Sequence, residues 1–225
     1  LLDAQLETSW QYTQMVLRSF LRGSPAVPGR GMAALPGALR RSLERSSVRL
    51  AEEVREVSAH RVVTSLGEYN AQHVISATNE DPHIAWRSVT TWWFASPVMN
   101  DARLRVDSDN PFIANMVNMS AAAASYAPSG HSLVAASVLG GYDRTLSNVV
   151  RESVARRYGL LTSDLREISV TPVSRALPGL TRFTSDRRVI VQDGVILAGD
   201  SVETPSIQGA LVSGRRAAQF VLRSK

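Results

Sequence analysis

The sequence predicts a mixed α/β protein of the α+β class, and three observations predict it. The last segment reads as a buried strand, a loop and a capped helix. Val195-Ile196-Leu197-Ala198 is an apolar run ending in Gly199-Asp200, and Ser206 opens a helical pattern. The middle of the chain holds separate runs of strong β formers with turn residues between them. Other segments repeat apolar residues at three- and four-residue spacing, the mark of an amphipathic helix.

From the amino end, residues 1–21 are helical in pattern, with Leu6, Trp10, Met15, Leu17 and Leu21 as a partial stripe. Pro28-Gly29-Arg30-Gly31-Met32 makes a turn before a helix carrying Leu35, Leu39 and Leu43. Residues 48–50, 54–57 and 60–67 alternate or cluster like short strands, and 73–78 follow as a buried strand. In the middle region, 81–179, the stretches 89–95, 112–119, 132–139 and 167–173 read as strands, with a turn at 126–130. Residues 146–158 form an amphipathic helix with Val149, Val150 and Val154 inward and Gly159 as its C-cap. Trp92, Trp93 and Phe94 suit core packing first and an apolar channel second; Met116 and Met119 suit core filling.

The terminal segment carries the strongest chemical signal. A strand whose carboxyl end feeds a helix amino terminus is where open α/β sheets bind ligands. Free N–H groups and the helix dipole there suit an anion or an electron-rich oxygen. All of 189–200 reads as one buried strand. Gly199 lets the backbone approach a ligand, Asp200 sets a carboxylate at the strand end, and Pro205 prevents an earlier helix start than the Ser206 N-cap. Ile207, Ala210, Leu211, Gly214, Ala218, Val221 and Leu222 recur as a helical stripe. Gly209 and Gly214 each cost a helix about 1 kcal/mol relative to alanine, so something is expected to pack very close to that helix. A plain strand-loop-helix at the end of an α/β domain accounts for the same residues without a ligand.

Composition is that of a globular protein, 44% hydrophobic and 20% charged over 225 residues, long enough for one or two domains. No apolar run is long enough for a transmembrane helix and no secretory pattern opens the chain, so a cytoplasmic protein is expected. The absence of cysteine excludes disulfides, thiolate metal sites and cysteine nucleophiles. His60, His73, His83 and His131 show neither metal-ligand nor triad spacing, so no metal site is expected and no catalytic residue stands out. The formal net charge is +5, and Lys225 is the only lysine. Arginine pairs at 40–41, 156–157, 187–188 and 215–216 are spread along the chain, which describes a solvated surface and not a nucleic-acid reader.

The terminal residues resemble the carboxyl-terminal flavin-binding motif of the FAD-dependent amine oxidase and phytoene dehydrogenase-like superfamily. Ala198-Gly199-Asp200, Gly209-Ala210, Ser213-Gly214 and Ala217-Ala218 match its order and spacing. The glycine-Met turn at 29–32, the following helix, the Val54 strand and the Ala77-Thr78 strand end occur in the same order as in that family. The resemblance implies part of a Rossmann-like FAD-binding domain, in 27–80 and 181–225. It also implies a substrate domain with an antiparallel sheet in 81–180, to which the helical 1–26 belongs. It places Val54, Ala77 and Thr78 by the adenosine half of FAD, and Gly199 and Asp200 by the ribityl and pyrophosphate. Ser206, Ile207, Gln208 and Ala210 form the helix start, and Ile207 and Gln208 face the flavin pyrimidine ring.

One departure from that family is large. The Gly-x-Gly-x-x-Gly strand-turn-helix that holds the FAD pyrophosphate does not occur in this sequence. The expectation is therefore the carboxyl-terminal part of a longer flavoprotein, with a separate amino-terminal FAD-binding segment as its partner. The implied reaction takes a hydride from an apolar or amine small molecule to flavin N5. A catalytically silent binding or scaffold module is the alternative. Some arginines are available to FAD phosphates or to anionic lipid headgroups, as a peripheral membrane contact.

Overall fold

The computed structural model describes residues 3, 5–23, 26–43, 48–78, 84–179 and 189–224. From the amino end, α1 spans Trp10–Arg22 and α2 Ala34–Arg41, followed by β1 Val54–Val57, β2 Arg61–Thr64, β3 Glu68–Asn70 and β4 Ile75–Ser76. Then come β5 Trp86–Ser96, β6 Ile113–Asn118, α3 Met119–Ala122, β7 Ser132–Leu139, α4 Ser147–Tyr158 and β8 Arg166–Pro178. The chain continues with β9 Ile190–Gln192, β10 Val195–Leu197 and α5 Ile207–Arg223. His83 and the Arg187-Arg188 pair lie outside the described residues.

Two compact units result. The first gathers Leu1–Ser42 and Trp86–Phe183, the second Leu43–Ala85 and Thr184–Lys225. The helix read together with 27–80, α2, thus lies in the first unit.

The first unit is built on an antiparallel sheet of order β6-β7-β5-β8. Alternate residues of each strand share a face. Trp92, Phe94, Val134, Ala136, Val138 and Met116 form one buried cluster with Val150, Val154 and Ala155 of α4. The Trp92 Nε1–H donates to Ser147 Oγ at 3.1 Å, which satisfies its one polar atom. Trp93 points to the other face, where its Nε1–H donates to Thr171 Oγ1 at 3.1 Å. Core packing therefore holds for Trp92, Phe94 and Met116. In α4 the inward set is Val150, Ser153, Val154 and Ala155, and Val149 is only half-buried. Gly159 ends that helix in the left-handed conformation, as expected. Strand β8 runs beyond its expected end and carries Pro172 opposite Thr90. An edge strand tolerates the missing N–H.

Two buried carboxylates tie loops to this frame. Asp107, with no exposed side-chain surface, is reached by Arg156 and Arg157 from the last turn of α4. Asn110 donates to the same carboxylate at 3.1 Å, and Arg105 donates to the Arg157 carbonyl at 2.7 Å. Burial would raise the Asp107 carboxyl, but hydrogen bonds from Arg157, Asn110 and Ser153 outweigh it and hold it well below the usual range. Asp3 accepts from the Thr8 N–H at 2.6 Å and pairs with Arg87 of β5. Burial again opposes ionisation there, and the Thr8 and Arg87 hydrogen bonds bring the carboxyl down to about 2.

The amino-terminal helix departs from its expected form. It begins at Trp10, and Leu6, with a φ of 59°, lies outside it. Of the stripe read from the sequence, Trp10, Leu17 and Leu21 are exposed, and Tyr12 is the buried residue of α1. The periodicity was amphipathic, but its apolar side faces solvent.

The second unit holds an antiparallel meander of order β1-β2-β3 and a sheet of order β4-β10-β9. Strand β10 is central, parallel to β4 and antiparallel to β9. The single buried strand read over 189–200 is thus a hairpin, because Asp193 (φ 50°) and Gly194 (φ 79°) are both left-handed and form a two-residue turn. Gly194 is needed twice, since a Cβ there would lie 2.5 Å from the Ala59 Cβ. The buried strand read over 73–78 shortens to Ile75–Ser76 at the sheet edge, with Val74 buried and Ile75 exposed. Residues 48–50 form no strand.

In α5 the buried residues are Gly209, Ser213 and Ala217, and Val221 is packed against the cluster that Ala217 forms with Ile196 and Ala198 of the β10 segment. The larger members of the expected stripe, Ile207, Leu211 and Leu222, are exposed. Small side chains let a helix axis approach a sheet closely, which a reading by hydrophobicity misses. Gly209 confirms the expected close approach: a Cβ there would lie 1.8 Å from the Thr204 carbonyl oxygen. The approach is at Gly209 and not at Gly214, where nothing lies within 4 Å of the corresponding position.

Candidate functional site

The second unit brings the sequence-predicted site residues together in two places. The first is a cleft of about 350 Å³ whose lining includes Val54, Val57, Val62, Val74 and Ile75 together with Ala77, Thr78 and Asp193. Its wall is mainly β-branched and draws on both the β1-β2-β3 meander and the β4-β10-β9 sheet. Ser76 Oγ and Thr78 Oγ1 lie 3.1 Å apart and give the apolar cleft a hydroxyl rim. Val54, Ala77 and Thr78, drawn from segments far apart in sequence, meet here. The sequence reading missed Asp193 and the neighbouring valines. The Asp193-Gly194 pair was a legible hairpin signal.

The second place is the carboxyl end of β10 and the start of α5. Parallel pairing sets Ile196 beside Ile75 and Leu197 beside Ser76. The Ala198 N–H donates to the Ser76 carbonyl at 2.8 Å. The ends of β4 and β10, with Ala77-Thr78 and Gly199-Asp200, therefore lie side by side at the carboxyl edge of one sheet. This is the edge at which open α/β sheets take ligands.

The local geometry follows from a few contacts. Gly199 has a φ of 128° and its N–H donates to Ser213 Oγ at 3.1 Å. That N–H is thus committed to the fold rather than free for a ligand. Asp200 is half-buried in the turn that follows. Glu203 pairs with Arg216 and fastens the loop to α5. Ser206 caps the helix as expected, its Oγ accepting the Gly209 N–H at 2.9 Å. The N–H groups of Ile207 and Gln208 take no partner among the described residues, and both residues are exposed. Ala210 is half-buried beside them. The helix start thus presents two donors backed by the positive end of a 17-residue helix.

Other candidate chemistry is sparse. No group of three metal-ligating side chains occurs among the described residues. His60 Nδ1 bonds the Gln72 carbonyl and His131 Nδ1 the Ser129 carbonyl, both local contacts. The first unit has a smaller cavity, about 170 Å³, with Ala95, Leu133 and Ile168 in its wall and Arg166 and His131 at its polar side. Among the described residues no helix is long and apolar enough to cross a membrane.

Comparison with known proteins bears on the family and the fold. The family described as flavin containing amine oxidoreductase matches residues 89–222, more than half of the chain. The match covers Gly199, Asp200 and the start of α5, but not Val54, Ala77 or Thr78. No curated protein matches. Among solved structures, a putrescine oxidase triple mutant from a redesign of cofactor binding aligns with a TM-score of 0.57 and 13% identity, over 86% of this chain and 53% of its own. Reduced UDP-galactopyranose mutase aligns with a TM-score of 0.53 and 11% identity, over 68% of this chain and 41% of its own. At these identities the likeness is one of fold, and the chain spans roughly half the length of these structures or less. By the family match over most of its length, the chain belongs to the flavin-containing amine oxidoreductases.

Proposed function

We propose that the chain is part of an FAD-dependent oxidoreductase that transfers a hydride from a substrate carbon, next to carbon or nitrogen, to flavin N5. The observation that supports this is the parallel alignment of the β4 and β10 ends, together with two N–H groups of α5 that take no partner among the described residues. Those features suit the FAD group on physical grounds. The cleft is apolar enough to take an adenine ring, and the Ser76 and Thr78 hydroxyls at its rim suit a ribose. In this reading Val54, Ala77 and Thr78 hold the adenosine half. The Asp200 carboxylate accepts from ribityl hydroxyls, and Ala210 leaves room beside the ring. The Ile207 and Gln208 N–H groups hold negative charge at the pyrimidine edge, as fixed dipoles that need no reorganisation. When bound, the flavin supplies the two-electron chemistry, and the protein supplies position and field. The apolar cavity of the first unit suits an apolar or amine small molecule.

The absent Gly-x-Gly-x-x-Gly fingerprint favours a partner segment that brings it. The outer edge of β4 carries no strand among the described residues and offers a parallel edge for one. The same absence keeps the silent binding module as a second reading. The visible spectrum of the purified chain, with FAD and with a fingerprint-bearing strand-turn-helix segment, separates them. Flavin bands retained after gel filtration support the oxidoreductase. No retained flavin even with the added segment leaves the silent module.

A further inference from the structure

The positive charge of this chain is unevenly placed. Residues 8–43 hold Arg18, Arg22, Arg30, Arg40 and Arg41 and no aspartate or glutamate, which equals the net charge of +5 for the whole chain. The same stretch holds α1, whose apolar side faces water. Trp10 is 65% exposed and Leu21 87%, with Leu17 and Phe20 also more than half exposed.

Helix geometry orders these residues. At 3.6 residues per turn, positions 10, 17 and 21 fall on one line, with 20 beside it. Tyr12, the buried anchor of α1, lies on the opposite side. Arg18 and Arg22 flank the stripe on one side, and α1 itself holds no acidic residue. From Leu17 to Gly23 every residue is exposed. A short helix held at its first half, with an aromatic and aliphatic stripe bordered by arginines, has the make-up of a helix that lies in a membrane interface.

We propose that α1 docks the protein on an anionic phospholipid surface. Trp10, Leu17, Phe20 and Leu21 enter the headgroup and acyl boundary, and Arg18 and Arg22 pair with lipid phosphates. Charge complementarity selects this occupant. A nucleic acid or an acidic protein would use the arginines but leave Leu17, Phe20 and Leu21 in water. The adjoining α2 has the same character, with Leu39 exposed and Arg40 and Arg41 in its last turn.

The test is co-sedimentation of the 225-residue chain with phosphatidylcholine vesicles with and without phosphatidylglycerol. Binding is expected on the phosphatidylglycerol vesicles alone, weakening as salt screens it. At about 1 kcal/mol per arginine, an Arg18→Gln/Arg22→Gln variant loses affinity about thirtyfold. Phe20→Ser/Leu21→Ser weakens binding while the circular dichroism stays unchanged, as both side chains are exposed. Quenching of tryptophan by brominated acyl chains is expected in the wild type and lost in Trp10→Phe. Absence of vesicle binding overturns the proposal. So does undiminished binding by the arginine variant, or sedimentation velocity showing self-association that Phe20→Ser abolishes in place of lipid binding. None of these readouts involves flavin, so failure here and failure of the oxidoreductase reading are distinct.

Discussion

The two units of this chain solve the same packing problem with different resources. The first draws its sheet and covering helix from one continuous stretch, Trp86 to Pro178, and buries Trp92, Phe94, Met116 and their neighbours completely. The second assembles its sheet from two segments more than a hundred residues apart, and its buried cluster is Ile196, Ala198 and Ala217. Its β4 edge is open among the described residues, and Ile75, Ile207 and Leu211 are exposed. The first unit thus carries its stability in side-chain packing. The second depends on backbone close approach and caps, and leaves apolar surface for something else to cover.

The sharpest way to break that contrast is to empty one core and watch the other unit. All the tryptophans, Trp10, Trp86, Trp92 and Trp93, belong to the first unit, so their fluorescence reports its unfolding. Phe94→Ala removes a fully buried ring and is expected to cost about 4 kcal/mol, read as a lowered urea midpoint by fluorescence. Ile196→Ala should change the helical circular dichroism transition and leave the fluorescence midpoint in place. If Ile196→Ala shifts the fluorescence midpoint as far as Phe94→Ala does, the units unfold as one and the contrast fails.

How much of this was legible follows from the kind of force at work. Strand β7 and helix α4, with its Gly159 cap, could be read because side-chain periodicity and a turn residue agree there. The Ser206 cap and the terminal motif were legible for the same reason. The buried stripe of α5 was not, because Gly209, Ser213 and Ala217 bury little apolar area and matter through how close they let the backbone come. The α1 stripe was legible as a helical pattern, but its exposure was not, because periodicity reports amphipathicity without saying what lies on the apolar side. The Val54, Ala77 and Thr78 cleft was reachable only through the resemblance, since no local pattern links Val54 to Asp193.

The polar clamp on α4 offers a second contrast, because it stabilises the first unit by charge where the second uses the Glu203–Arg216 pair in a loop. Replacing Asp107 by Asn leaves Arg156 and Arg157 without their buried partner and is expected to cost about 3 kcal/mol at neutral pH. The sign of the pH dependence is fixed by the lowered carboxyl. The contribution is complete above the unfolded value of about 4 and is lost as pH falls through the lower folded value. The wild type should therefore lose stability on acidification below about pH 4 more steeply than Asp107→Asn. Parallel acid curves for the two proteins would mean that the clamp stores no stability in the ionised carboxylate.

The smallest effects come from two glycines in one helix, and they should have opposite signs. Gly209→Ala drives a methyl group into the Thr204 carbonyl and is expected to cost about 2 kcal/mol while loosening the loop from Gly199 to Ser206. Gly214→Ala meets open space and should stabilise α5 by about 1 kcal/mol through helix propensity alone. Hydrogen exchange of α5 amides measures both in the unit that lacks tryptophan. The Gly214 result carries the further information. If the alanine raises protection in the chain by itself but lowers affinity for the fingerprint-bearing segment or for FAD, then glycine at 214 keeps that face of α5 open for an incoming backbone. If it raises protection and leaves both affinities unchanged, the exposed face of α5 plays no part in completing the flavin site, and completion falls to the β4 edge.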